Sequence, residues 1–229
     1  MWSGGLDSTA VFYALKNTGK QFKVLFNSNS VDEFPELGKD ILDGKYNNAT
    51  SFYQDSSTFN LLDYVIDNPG EKFITGEIGD QTFGSAISYN LPYEVRQQHY
   101  SKVIPIEGAD ILSPAITTVA EYYWACNFLF KYQNVQVRMA YQYQIAPVEP
   151  FNNAIHFFDT PEFNLWSMQN YEENALYPSL VSYKGKMKDY LKENQCYTKY
   201  VDTKIKIGSL VNALYDAGRP KTNRQQIIG

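Results

Sequence analysis

The chain has 229 residues, 44% of them hydrophobic, enough to bury a full core as a single α/β domain with a helical extension. Its net charge of −5 and pI near 5.1 argue against a general nucleic-acid partner. Its two cysteines, Cys126 and Cys196, form no CxxC pair, which argues against structural zinc; no stretch is long and apolar enough for a membrane span, so a cytoplasmic chain with free thiols is expected.

In chain order, Ser3-Gly4-Gly5-Leu6-Asp7-Ser8-Thr9 comes first. Paired glycines let the backbone approach an anion without a Cβ clash. Ser3, Ser8 and Thr9 supply hydroxyl donors, and the N–H groups of such a turn form a concave anion nest. A helix expected from about Ser8 to Lys16 would aim its N-terminal dipole at the same anion. Together these residues suit the pyrophosphate end of ATP. The GxxxxGK[ST] pattern is missing, so this is not the loop that transfers a γ-phosphoryl group. An ordinary capped helix start is the plainer account of a glycine-serine turn. The complete string, with Asp7 inside it, outweighs that account.

Phe22 to Phe26 reads as a strand ending at Asn27-Ser28-Asn29-Ser30. Open α/β sheets place a nucleotide at such strand ends, so the backbone at Phe26 and Asn27 is a candidate to hold adenine. A helix over about Pro35–Leu42, a strand near Ser51–Tyr53 and a helix over Phe59–Ile66 lead to a strand at Phe73–Thr75. This alternation predicts a parallel twisted sheet with helices on both faces. Thr75-Gly76-Glu77-Ile78-Gly79-Asp80 then forms a glycine-rich acidic loop. Magnesium favours a few carboxylates plus phosphate oxygens, so Asp7 and Asp80 could bracket one pyrophosphate. The plainer account makes Glu77 and Asp80 solvated loop acids; the two loops in this order outweigh it.

From about Ala86 the strand signals fade and aromatic helical segments dominate, including a packing stripe over Val119–Phe130. The organisation is therefore one domain over 1–229, with a nucleotide-binding core over 1–85 and a mostly helical extension over 86–229. Thr160-Pro161 starts a capped helix, and Tyr183–Leu191 is a basic helix. Thr203–Gly208 carries Lys204 and Lys206 around an isoleucine, a pattern that a plain surface strand fits equally well. Lys184 to Lys188, and Arg219, Lys221 and Arg224 in a polar tail, read as solvated charge. His99 and His156 stand alone and suggest neither a metal site nor a triad.

The first loop resembles the SGGxDS loop of the N-type ATP pyrophosphatases, the PP-loop superfamily. The segment Thr75–Ser85 resembles the TGEGxDELFGG segment of asparagine synthetase and the β-lactam synthetases. The resemblance implies an adenine nucleotide alpha hydrolase-like fold and cleavage of ATP between its α and β phosphates. It places Ser3, Gly4, Gly5, Asp7, Ser8, Thr9, Thr75 and Gly76 on ATP, Asp7 and Asp80 on Mg2+, and Glu77 beside the adenylate. Glu149-Pro150-Phe151 sits where the family has an acid followed by Pro-Phe. Lys206 aligns with the catalytic lysine. The family's second motif glycine is Ile78 here, its second acid Gln81 and its last glycine Ser85. In the superfamily the first loop follows a buried strand, whereas only Met1 and Trp2 precede it here; the expectation is that the sequence begins inside the domain.

Three functions stay open. The first is an ATP-dependent synthetase that adenylates an aspartate-like carboxylate and passes it to ammonia or an amine. No N-terminal cysteine nucleophile accompanies it, so a separate amidotransferase is one source of nitrogen. The second adenylates a nucleobase carbonyl in nucleic-acid modification. The third is an ATP-binding relative with impaired catalysis, kept open by Ile78 and Gln81.

Overall fold

A computed structural model describes residues 1–55, 64, 67–83, 154–170 and 184–203. Its first helix, α1 (Leu6–Asn17), buries Leu6, Ala10, Val11, Phe12 and Tyr13 over consecutive turns. Strand β1 (Phe22–Asn27) becomes wholly buried over its last four residues and pairs in parallel with β2 (Ala49–Gln54), with Phe26 opposite Tyr53. Two short helices fill the crossover, α2 (Ser28–Glu33) and α3 (Pro35–Leu42), the latter with proline at its first turn. Strand β3 (Phe73–Thr75) leads into α4 (Gly79–Phe83). It pairs in parallel with β4 (Ala154–His156), placing Thr75 beside His156. Helices α5 (Pro161–Gln169), α6 (Gly185–Glu193) and α7 (Thr198–Thr203) complete the described elements.

Met1 and Trp2 lie between the two strand pairs. The Trp2 N–H donates to the Leu25 carbonyl at 2.9 Å, and the Met1 nitrogen donates to the Ile74 carbonyl at 2.8 Å. Met1 and Trp2 thus bridge β1 and β3 through backbone hydrogen bonds. The Trp2 side chain is 1% exposed and packs on Phe26 and Phe34. The chain is mixed α/β with small parallel sheets and helices. Among the described residues no helix is long and apolar enough to cross a membrane.

Several sequence expectations agree closely with these elements, namely α1, β1, α3 and β3. Three differ. The strand ends at Asn27 as expected, but a helix that was not expected, α2, follows at once, and its cap is Asn27. Its Oδ1 accepts from the Ser30 N–H at 3.2 Å, and Ser30 Oγ reaches back toward the Asn27 N–H, a reciprocal box that begins a helix at once. Strand β4 lies in the half expected to be mostly helical; at three residues it is too short for alternation to show. Lys184 and Lys188 were read as solvated charge, yet both are buried, because α6 turns the side of Met187, Lys188 and Leu191 toward α1. The Val119–Phe130 helix, the Phe59–Ile66 helix apart from Tyr64, and the C-terminal tail lie outside the described residues.

Cys196 is a buried free thiol, as expected, and burial raises its pKa to about 11. Cys126 lies outside the described residues.

Candidate functional site

The site is built where two glycine-rich turns meet. Gly4 holds φ +76°, a conformation open to glycine, and a Cβ there would lie 2.6 Å from both the Ser30 carbonyl oxygen and Glu33 Cβ. Helix α2 therefore packs directly on the first loop. Ser8, at the start of α1, ties that loop together: its Oγ donates to the Gly5 carbonyl at 3.1 Å and accepts from the Ser3 N–H at 3.1 Å. The hydroxyls of Ser3 and Ser8 lie 3.0 Å apart. From the far end of the chain, the Tyr200 hydroxyl donates to the Gly4 carbonyl. Burial pushes that hydroxyl well above the usual tyrosine range, so it stays protonated and able to donate.

The second loop presses on the first. A Cβ on Gly76 would lie 2.7 Å from the Ser8 nitrogen, and one on Gly79 would lie 2.5 Å from Asp7 Cγ. Only glycine allows this approach, and it brings Asp80 beside Asp7. Between the two carboxylates sits Lys184, with its side chain 1% exposed. Its ammonium donates to Asp7 Oδ1 and, at 2.6 Å, to Asp80 Oδ1. Burial alone would lower the lysine pKa, but the two carboxylates outweigh it and hold the pKa above the ordinary value. Lys184 also adopts φ +51° at the N-terminus of α6, a conformation that disfavours a long side chain.

Ile78 is the second departure from regular backbone. It holds φ +71° and is 4% exposed. A β-branched residue there is strained. This is the position where the resembled motif carries glycine. Gln81 is buried, and its Oε1 has no hydrogen-bond partner among the described residues.

Of the residues singled out in the sequence, Ser3, Gly4, Gly5, Asp7, Ser8, Gly76 and Asp80 come together here. Thr75 lies at the edge of the site. Its hydroxyl accepts from the Glu77 N–H at 3.3 Å and pairs with His156 Nδ1 at 2.8 Å. Glu77 is half-buried in the same loop. Thr9 is fully buried and accepts from the Trp2 indole N–H at 3.1 Å, which sets it on the core side of α1, away from the Ser3–Ser8 hydroxyls. Phe26 is 0% exposed and packs against Trp2 and Tyr53. Lys206, Lys204 and Glu149-Pro150-Phe151 lie outside the described residues.

Sequence reasoning did not foresee the burial of Lys184 or the placement of His156 and Tyr200. Lys184 belonged to a run of lysines, and only the lack of an i+4 acid, with apolar Met187 and Leu191 at helical spacing, hinted that its helix face turns inward. His156 and Tyr200 carry no local signal, since their partners are far away in sequence.

Among the described residues no group of three or more acidic, histidine or cysteine side chains could enclose a metal. The donor set instead suits a cation that draws its remaining ligands from phosphate oxygens: two hard carboxylates, beside a turn of hydroxyl and N–H donors. No known protein family matches the chain, and neither do any curated protein or solved structure.

Proposed function

We propose that the chain is an ATP-dependent, AMP- and pyrophosphate-forming synthetase of the PP-loop type, with its loops at the ends of a parallel twisted sheet. It would adenylate a small aspartate-like carboxylate and form an amide with ammonia or an amine. One observation carries this reading. Two loops distant in sequence, each resembling a nucleotide-binding segment of one family, meet through Gly76 and Gly79 and bring Asp7, Asp80 and Lys184 together.

In this reading the substrate carboxylate oxygen attacks the α-phosphorus. The bond from α-phosphorus to the bridging oxygen breaks, and pyrophosphate leaves with the electron pair. The Ser3 and Ser8 hydroxyls and the Gly5 N–H bind the departing phosphates. Asp7 and Asp80 would hold Mg2+, which supplies neutralisation of the charge that develops on the leaving group. Lys184, beside these two acids, would pair with phosphate oxygen, in addition to the role the resemblance gives Lys206. The amine nitrogen then attacks the acyl carbon and AMP leaves. Glu77, held by its own N–H to Thr75, would take the proton released by the amine.

Ile78 specifically favours the third reading, an ATP-binding relative with impaired turnover, because a strained, buried branched side chain stands where the resembled motif has glycine. Pyrophosphate release with Mg2+·ATP, ammonium and a panel of carboxylates separates the readings. Release that depends on a carboxylate supports the synthetase. Nucleotide binding without release supports the impaired relative, and no nucleotide binding removes both.

A further inference from the structure

The buried ammonium between Asp7 and Asp80 has a consequence for how a cation can enter. Two carboxylates brought together by the close approach of Gly79 to Asp7 repel one another unless something positive lies between them. Lys184 fills that role with a side chain 1% exposed, against 15% for Asp7 and 17% for Asp80. The backbone bears a cost to deliver it, since Lys184 holds φ +51° at the start of α6. A cation approaching alone would have to displace a covalently tethered, desolvated competitor. A cation approaching with phosphate would not, because the phosphate offers the ammonium a new partner.

We propose that Lys184 is a built-in placeholder for the divalent cation. It holds the Asp7–Asp80 position until phosphate arrives and then moves onto phosphate oxygen, so that metal and phosphate enter together. The proposal rests on the nucleotide reading only in taking Asp7 and Asp80 as the cation's ligands. It places the control of metal entry in one side chain.

The test is Mn2+ binding to the full chain, followed by electron paramagnetic resonance and by thermal melting, with no nucleotide present. The wild-type protein is expected to bind Mn2+ weakly and to show no shift in Tm. Lys184→Met is expected to bind Mn2+ at least about tenfold more tightly and to regain Tm as Mn2+ is added, because the metal restores the missing positive charge. Lys184→Gln, neutral but still able to donate to a carboxylate, is the second variant should the first fail to fold, with the same gain expected. Equal Mn2+ affinity in the wild type and the folded variant would overturn the placeholder, as would tight Mn2+ binding by the wild type alone. Adding inorganic pyrophosphate tests the nucleotide reading separately. If pyrophosphate does not bring Mn2+ into the wild-type site but the lysine variants still gain affinity, the placeholder stands and the nucleotide reading falls.

Discussion

Gly79 and Asp7 are so close that a single methyl on the glycine would lie 2.5 Å from the aspartate's Cγ. That contact sets the distance between the two loops. Gly79→Ala is therefore expected to push Asp80 away from Lys184, to destabilise by about 1–3 kcal/mol and to remove pyrophosphate release. Gly70→Ala, where nothing lies within 4 Å of the added Cβ, is the matched control and should leave both unchanged. Urea denaturation with parallel activity measurements tests the pair; equal effects at both positions would mean the contact is unimportant.

Asp7→Ala is expected to abolish pyrophosphate release. The change removes one proposed ligand and leaves Lys184 with Asp80 as its remaining ion-pair carboxylate among the described residues. Breaking a buried pair from one side commonly destabilises by about 3–5 kcal/mol, so the variant must first be shown folded by circular dichroism. Turnover like the wild type in a folded variant would remove the nucleotide assignment.

At Ile78 the usual order of substitutions should invert. Glycine ordinarily costs about 0.5–1 kcal/mol more than alanine within a regular element. At φ +71° alanine keeps the backbone strain and glycine relieves it. Both variants lose the buried side chain, so both are expected to be less stable than the wild type, with Ile78→Gly the more stable of the two. Equilibrium urea unfolding gives the order directly, and alanine ranking above glycine would contradict the strain.

Tyr200→Phe keeps the ring stacked on Phe34, with centroids 3.5 Å apart, and removes only the hydroxyl bonded to Gly4. In a trans peptide the Gly4 carbonyl and Gly5 N–H point in opposite directions, so anchoring the oxygen aims the N–H. Loss of one such bond, at about 1 kcal/mol, corresponds to roughly fivefold weaker ATP binding. Calorimetric titration of Mg2+·ATP measures it, and unchanged affinity would show that the peptide needs no such anchor.

Asp40 offers a pH test away from the site. It accepts from Lys45 at 2.7 Å and from Tyr197 at 2.6 Å. Burial raises its pKa, but these bonds outweigh burial and hold the carboxyl below its ordinary value of 3.8. A group depressed on folding contributes stability above its unfolded pKa and loses it as pH falls through the folded value. Thermal melts of Asp40→Asn and wild type should therefore differ near neutrality, with the gap beginning to close near pH 3.8 and closing further as pH falls through the lower folded value. A constant gap across that range would show that the carboxyl's ionisation is not what stabilises.

The two loops were legible because their chemistry is local. Gly4-Gly5 and Gly76 through Asp80 announce close backbone approach within a few consecutive residues, while α1 announces itself by its apolar run and α3 by proline at its first turn and apolar spacing. The ammonium that meets Asp7 and Asp80 is Lys184, while Lys206, expected opposite Glu77, lies outside the described residues. The burial of Lys184 could not be read locally: one lysine among several on a helix becomes buried only through packing against α1, which no window of sequence contains. Strand β4 escaped for a related reason, since three residues acquire strand character only by pairing with β3. Ile78 was visible as a departure from the motif, but its cost became apparent only with the sign of φ.

Lys184 contacts Asp7 across 177 residues of sequence, and Tyr200 contacts Gly4 across 196. Contacts so distant close large loops and form late in folding. During synthesis the first loop emerges from the ribosome early and then waits, Asp7 without its lysine and Gly4 without its tyrosine, until residues 184 and 200 have been made. A nascent chain stalled before residue 184 would carry the phosphate-binding sequence but not the arrangement that orders it. Any chaperone holding the growing chain would have its greatest effect on this site, while the β1–β2 pair, closed within residues 22–54, needs no such help.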